Sequence, residues 1–327
     1  MVRAAIVSGL TREQRQRLRR TLGRLETNLV RKSTLDRYAR TFNEFSEYMQ
    51  QIYTAWPTSA PEFDKVVSEY LEVLWDAGET KSSAAYTLAS IHYFLPQLKH
   101  QLPRSWKLKA IWDKLELPCQ AVPLNPTTLF ALVGYFHKKQ DQAMGLACIL
   151  GFNAMLRTGE LLDLRVENCH FTPSGAILHL QNTKGGQRRL IQEETVIIED
   201  HLTLWALGQL CTNKCPGDFL VGISPSVFRT RWNQMKQHLN IARYRYLPYS
   251  LRRGGATWFF HHTGSFSLTM VRGRWQHLKT CKLYLSEAQT ALTSLSLPPS
   301  VLREIHRLHD YIRPHLFRWA KQGRVNG

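Results

Sequence analysis

The sequence contains few cysteines and no long apolar run, and both absences narrow the class of protein. The six cysteines are scattered; only Cys211 and Cys215 lie close together, and no second Cys or His pair follows at a zinc-site spacing. We therefore expect free thiols in a reducing compartment and no structural metal. No apolar run approaches the roughly 18 residues needed to cross a bilayer, and the weakly apolar N-terminus does not resemble a secretory signal. Neither a secreted nor a membrane-inserted protein is expected.

Acidic residues are the second scarcity. The chain of 327 residues has 43 Lys and Arg against 25 Asp and Glu, a formal net charge of +18. Between Asp218 and Glu287 no carboxylate occurs, although surfaces usually mix both signs to limit self-repulsion. The basic residues of this acid-free segment are Arg229, Arg231, Lys236, Arg243, Arg245, Arg252, Arg253, Arg272, Arg274, Lys279 and Lys282. Such a segment is typical of a surface that binds phosphates, so nucleic acid is the expected partner.

The length and the apolar pattern predict two domains. Residues 1–32 are expected to form a basic N-terminal arm, and residues 33–117 a helical domain in which apolar residues recur at three- and four-residue steps from Leu35 to Met49. Residues 118–125 are predicted as a linker. The second domain, 126–327, begins with Asn125 as helix N-cap and Pro126 as first helical residue.

A short hairpin interrupts the helical pattern of the second domain. We predict strands at 176–180 and 188–191 around an Asn182–Gly186 turn. Helices are expected at 195–210, 226–238, 250–262 and 268–274, and a last helix at 295–319, disturbed at its prolines. The fold class is therefore mainly α with a small antiparallel β-sheet.

Chemistry-bearing residues occur at four places in this second domain. Arg157 follows a buried helix, with Glu160 three residues later, and Lys184 lies at the hairpin turn. The third place is the segment from Tyr249 to Thr257, with Arg252 and Arg253 before Gly254-Gly255-Ala256-Thr257. The fourth is Trp275, with Tyr284 nine residues beyond it.

This ordered set resembles the tyrosine recombinase, or phage integrase, family. In that family an Arg with an acidic residue three positions on is followed by a hairpin Lys, by His-x-x-Arg before a small-residue run, and by a His or Trp nine residues before a nucleophilic Tyr. Residues 125–290 carry the resemblance, and the sequence from Arg253 to Thr257 is most similar to recombinases of eukaryotic mobile elements. The resemblance implies a helical core-binding domain and a catalytic domain that clamp duplex DNA.

The resemblance also assigns roles. Tyr284 would attack the scissile phosphate and form a 3′-phosphotyrosyl bond, without metal or other cofactor. Arg157 and Arg252 would hold the non-bridging oxygens, Lys184 would protonate the leaving oxygen, and Trp275 would donate its indole N–H. Glu160 would orient Arg157. The basic side chains predicted to contact DNA are Arg188, Arg245, Arg253 and Arg274.

Tyr249 departs from the pattern, because the family usually has His at this position. Two interpretations remain open: a packing or phosphate-contacting residue, or a residue with a direct catalytic role. The departure concerns proton transfer more than the fold.

The expected partner is double-stranded DNA, and a homo-tetramer is expected to bind it on paired sites. The expected location is that of the DNA, the nucleus or the cytoplasm. The segment from Leu297 to Trp319 has an apolar stripe that either docks on a neighbouring subunit or packs within its own chain. Two other functions remain open: relaxation of supercoils as in type IB topoisomerases, and non-catalytic DNA binding, for which the missing His is the hint. The sequence does not specify the DNA site, the direction of exchange or the host.

Overall fold

The fold is described from a computed structural model, which covers residues 10–22, 24–25, 29–53, 55–117, 120–181, 193–285 and 296–325. The chain divides into two compact units between residues 119 and 120. This division falls within the segment predicted as a linker. Ala121, Val122 and Leu124, in the second half of the predicted linker, are buried in the second unit.

The first unit is entirely helical in its described residues. Its helices are α1 (Arg12–Leu22), α2 (Lys32–Ile52), α3 (Ala60–Asp76), α4 (Lys81–Phe94) and α5 (Pro103–Leu115). Phe45 and Met49 on α2 pack with Leu71 on α3 and Leu88 on α4, so the periodic apolar residues form the predicted core. The buried Asp64 carboxylate accepts hydrogen bonds from the backbone N–H and hydroxyl of Ser105, which ties α3 to the start of α5.

The second unit combines helices with a small sheet. Its helices are α6 (Pro126–Lys138), α7 (Gln142–Asn153), α8 (Thr158–Asp163), α9 (His201–Cys211), α10 (Pro225–His238), α11 (Ser250–Thr263), α12 (Phe266–Gly273), α13 (Leu278–Tyr284) and α14 (Pro299–Val325). The predicted start of α6 is confirmed: Asn125 caps it by accepting a 2.7 Å hydrogen bond from Thr128 N–H, with Pro126 next. α7 lies at the centre of this unit, and its residues Met144–Phe152 are all buried.

The sheet has three antiparallel strands in the order β1 (Cys169–Thr172), β2 (Gly175–Gln181), β3 (Glu193–Ile198). The predicted 176–180 strand is part of β2, whereas the predicted returning strand at 188–191 and the turn lie outside the described residues. The predicted helix over 195–210 is wrong at its start. Val196 and Ile198 are buried while Ile197 between them is exposed, an alternation that fits a strand, and the helix begins only after Asp200, which caps it.

The last helix, α14, packs within its own chain. Its stripe of Val301, Ile305, Leu308 and Ile312 is buried in the core of the second unit. The helix approaches α6 so closely that a Cβ at Gly134 would lie 2.5 Å from the Leu308 carbonyl oxygen. It continues through Pro314, where the sequence predicted a disturbance. Of the two roles considered for this segment, the structure shows packing within the chain.

Candidate active site

Four separate segments of the second unit bring the predicted residues together. Arg157 immediately precedes α8, and Arg252 lies in the first turn of α11. Trp275 follows the end of α12, and Tyr284 is the last residue of α13. Tyr249 directly precedes α11, one helical turn before Arg252. The site therefore depends on the packing of these helices and not on a single loop.

Arg252 is the most deeply buried charged residue of the site, with 0% of its surface exposed. Its two terminal nitrogens donate hydrogen bonds to the carbonyl oxygens of Met155 and Gly273, the latter at 2.6 Å. Its guanidinium carbon lies 4.9 Å from the ring centroid of Trp275 and 5.5 Å from that of Tyr284. Burial lowers the pKa of Arg252. The two carbonyl oxygens and the two aromatic rings around the guanidinium group hold it in one orientation.

Tyr284 lies with its ring beside this buried cation. Its ring is 4.4 Å from the Trp275 ring, and its carbonyl oxygen accepts a 3.2 Å hydrogen bond from Thr257. The Tyr249 hydroxyl donates a hydrogen bond to the Tyr284 hydroxyl. Burial alone would raise the pKa of Tyr284, but this hydrogen bond and the charge of Arg252 outweigh burial and lower it. Burial and the same hydrogen bond raise the pKa of Tyr249, so Tyr284 is the phenol of the pair that ionises first.

Glu160 connects the two arginines that the sequence singled out. Its carboxylate accepts hydrogen bonds from the Arg157 guanidinium and, at 2.8 Å, from the Arg157 backbone N–H. The same carboxylate lies 3.8 Å from Arg252. Burial would raise the pKa of Glu160, yet the charges of Arg274, Arg157 and Arg252 hold it below its ordinary value. A charged Glu160 therefore balances part of the positive charge that these guanidinium groups place together.

Two arginines predicted to contact DNA are turned inward. Arg253 is 3% exposed, and its terminal nitrogens donate to the carbonyl oxygens of Ala121 and Leu283, at 2.6 and 3.0 Å. The side chain of Arg274 is 5% exposed and forms ion pairs with Glu160 and Glu194. Both guanidinium groups are thus held by partners inside the second unit, and their contact with DNA stays a prediction.

The other predicted contacts fall into two groups. Arg245 is exposed, and its carbonyl oxygen accepts a hydrogen bond from Val122. Lys184 and Arg188 lie outside the described residues, so their predicted roles remain predictions. The acid-free segment also divides: Arg252, Arg253 and Arg274 face the interior, whereas its exposed cations are Arg229, Arg243, Arg245, Lys279 and Lys282.

Sequence reasoning missed Glu194 and the structural role of the two adjacent glycines in α11. Glu194 in β3 is 7% exposed and lies 3.3 Å from Arg274. An acidic residue at the start of an alternating strand was the available signal, but that strand was assigned to a helix. Gly254 and Gly255 allow α11 to reach the backbone of Leu124 and Phe152, as a Cβ would lie 2.2 and 1.9 Å from their carbonyl oxygens.

Five buried donors at this site make no hydrogen bond to the described residues: Nε of Arg252, Nε of Arg253, Nε and Nη1 of Arg274, and the indole nitrogen of Trp275. Buried donors are rarely left without acceptors, so the donors of Arg252 and Trp275, whose side chains contact Tyr284, are chemically suited to an oxyanion. No group of three or more His, Cys, Asp or Glu side chains that could hold a metal ion occurs among the residues described. In the same part of the chain, no helix is long and apolar enough to cross a membrane.

The fold is similar to that of solved DNA-bound recombinases. A XerH site-specific recombinase in a pre-cleavage complex with difH DNA has 13% sequence identity and a TM-score of 0.56, with 80% of this chain and 79% of that chain covered. The Tn1549 transposon integrase bound to transposon right end DNA has 14% identity and a TM-score of 0.55, with 82% and 94% covered. No protein-family model matches the sequence, and no curated protein matches it. The chain thus has the tyrosine recombinase fold.

Proposed function

We propose that this chain cleaves and rejoins DNA strands through a covalent bond between Tyr284 and a 3′-phosphate, in site-specific recombination or integration. One observation carries the proposal: in a recombinase fold, the ring of Tyr284 lies 5.5 Å from the guanidinium carbon of the fully buried Arg252, whose charge lowers the pKa of Tyr284. A phenol next to a buried guanidinium is suited to attack an anionic phosphate, because the cation stabilises both the phenolate and the charge that develops on phosphorus.

In the proposed reaction, Tyr284 loses its proton to solvent, its phenolate oxygen attacks the phosphorus atom, and the 5′ oxygen of the next nucleotide leaves. Arg252 and Arg157 stabilise the negative charge on the non-bridging oxygens, and Glu160 keeps Arg157 in place. The bond energy stays in the phosphotyrosyl link, so a 5′ hydroxyl can reverse the step and rejoin a strand. Lys184 supplies the proton for the leaving oxygen in this proposal. Trp275 covers Arg252 and offers its indole N–H to the phosphate.

Tyr249 has a direct role in this proposal. Its hydroxyl donates to Tyr284, so Tyr249 stabilises the phenolate form of the nucleophile. This contact favours the catalytic interpretation of Tyr249 over packing alone. Proton delivery to the leaving oxygen is left to Lys184.

The proposal is tested with nicked DNA duplexes of randomised sequence, in which cleavage near the nick releases a short strand and traps the enzyme on its DNA. We expect a protein–DNA adduct that survives detergent and forms equally well in excess EDTA, because the proposed chemistry uses no metal. Wild-type protein that binds these duplexes but forms no adduct would contradict the proposal and favour a non-catalytic DNA-binding protein.

We further propose that the active assembly is a homo-tetramer on two DNA sites. Because the apolar stripe of α14 covers the core of its own unit, the test uses the full chain and not a truncated one. Light scattering of the DNA complex is expected to give the mass of four chains with two duplexes. A complex of one chain with one duplex that relaxes supercoiled plasmids would instead indicate an activity like that of type IB topoisomerases.

A further inference from the structure

Arg274 occupies an unusual position between α12 and Trp275. Its backbone is left-handed, with φ 58° and ψ 43°, a conformation that residues with a Cβ rarely adopt. Arg274 ends α12 and is followed directly by Trp275, whose ring contacts Arg252 and Tyr284. A glycine would fit this backbone with less strain, so the presence of arginine calls for a contribution from its side chain.

The side chain of Arg274 connects three parts of the second unit. Its Nη2 donates a 2.6 Å hydrogen bond to Glu160, the residue that holds Arg157 at the start of α8. Its Nε lies 3.3 Å from the Glu194 carboxylate on β3. Nη2 also lies 3.4 Å from the Met155 carbonyl oxygen, to which Arg252 donates as well. One buried guanidinium thus links the sheet, the Arg157 segment and the segment that carries Trp275.

The charges around Glu160 explain why this link matters. Arg157, Arg252 and Arg274 all lie within ion-pair distance of its carboxylate. Burial lowers the pKa of Arg274 to about 9, while the Glu160 carboxylate opposes that change, so Arg274 remains a cation at neutral pH. Glu160 and Glu194 neutralise two of the three positive charges in the cluster. The remaining positive charge suits a single phosphate diester.

We propose that Arg274 is a positioning residue: it holds Glu160 and Glu194 in a buried ion network that keeps Arg157 and Arg252 aimed at the scissile phosphate. This inference rests on the proposed function. Arg274 acts through Glu160 and makes no DNA contact of its own, which distinguishes it from the exposed arginines of the acid-free segment.

The test compares Arg274→Gln with wild type and with Arg318→Gln, which removes the same charge from an exposed position on α14. Adduct formation on nicked duplexes is measured under single-turnover conditions from pH 5.5 to 9, beside DNA affinity at several salt concentrations. We expect Arg274→Gln to form adduct about 100-fold more slowly at neutral pH, the loss typical of misplaced catalytic groups. Its DNA affinity and salt dependence should match those of wild type, and Arg318→Gln should form adduct at the wild-type rate.

The pH profile separates positioning from general structural damage. The pKa of Glu160 is held low by Arg274, Arg157 and Arg252, and Arg274 is the strongest of these influences. Removal of Arg274 therefore raises the pKa of Glu160, and the variant should lose activity more steeply than wild type as the pH falls through that higher value. Arg274→Lys, which keeps the charge, should restore part of the rate and remove this acid-sensitive loss.

Each outcome has a distinct meaning. Wild type without adduct contradicts the proposed function itself. If wild type forms adduct and Arg274→Gln has the same rate and pH profile, the positioning role is wrong. A weaker salt dependence of DNA binding in Arg274→Gln would identify a direct phosphate contact and also overturn the inference. Should Arg274→Gln fail to fold, Glu194→Gln tests the same network from β3, and an unchanged rate and pH profile in that variant would overturn the inference.

Discussion

Substitution of Gly255 by alanine should move the helix that carries Arg252. A Cβ at Gly255 would lie 1.9 Å from the Phe152 carbonyl oxygen at the end of α7, and 2.9 Å from its carbonyl carbon. Real Cβ atoms essentially never approach other heavy atoms closer than 3.0 Å, so α11 and α7 must separate by about 1 Å. The obstacle is backbone, which cannot rotate away as a side chain would.

The consequences of this shift can be estimated for stability and for catalysis. Overpacking of this kind costs about 1–3 kcal/mol, and each kcal/mol lowers the melting temperature of a unit of this size by roughly 2–4 °C. Arg252 lies on α11 three residues before Gly255, and a displacement of about 1 Å at a catalytic group can reduce the rate about 100-fold. We therefore expect both a lower melting temperature and a much slower formation of the covalent adduct.

Gly208→Ala is the matched control for this prediction. Gly208 lies in α9, and a Cβ there would have no other atom within 4 Å. The same substitution should stabilise the protein by about 0.5–1 kcal/mol and leave the adduct rate unchanged. Thermal unfolding and single-turnover adduct formation measure both effects. If Gly255→Ala melts and reacts like wild type, the close packing of α11 on α7 does not position Arg252.

Three further predictions concern DNA binding, the nucleophile and the general acid. DNA binding should weaken steeply with salt if the exposed cations Arg229, Arg243, Arg245, Lys279 and Lys282 contact phosphates. The logarithm of the binding constant should then fall against the logarithm of the salt concentration with a slope of about −4 or steeper. A slope near −1 in a salt titration would contradict this. Tyr249→Phe removes the hydrogen bond that lowers the pKa of Tyr284, so the rise of the adduct rate with pH should move to higher pH, with a loss of about tenfold or less at neutral pH. Lys184→Ala should lose about 10²–10⁴-fold, as expected for a general acid, and the reverse order of the two losses would refute the assigned roles.

The sequence predicts the candidate catalytic residues better than the residues that hold them in position. Arg157, Arg252, Trp275 and Tyr284 were recognised because their residue types and order carry the chemistry, and the structure brings them together. The helix periodicity of α2 and the cap at Asn125 were also readable, since both are local signals.

The supporting residues depend on burial, which charge alone does not reveal. Arg253 and Arg274 are predicted to contact DNA, and the structure adds partners that are distant in sequence, the Ala121 carbonyl oxygen and the Glu194 carboxylate. The β3 strand was mistaken for the start of a helix because Val196–Ile198 is short and is followed directly by the apolar α9. Likewise, nothing local in the sequence shows that Gly255 faces the backbone of Phe152.

The identity of the nucleophile tests the central claim most directly. Tyr284→Phe removes one oxygen atom and leaves the aromatic packing against Trp275 in place. We expect this variant to bind DNA like wild type and to form no covalent adduct, while peptide mass analysis of the wild-type adduct locates the DNA on Tyr284. Tyr311→Phe, which removes a hydroxyl that bonds to His137 on α6, should retain the adduct. A wild-type level of adduct from Tyr284→Phe, mapped to Tyr249 or any other residue, would contradict the account.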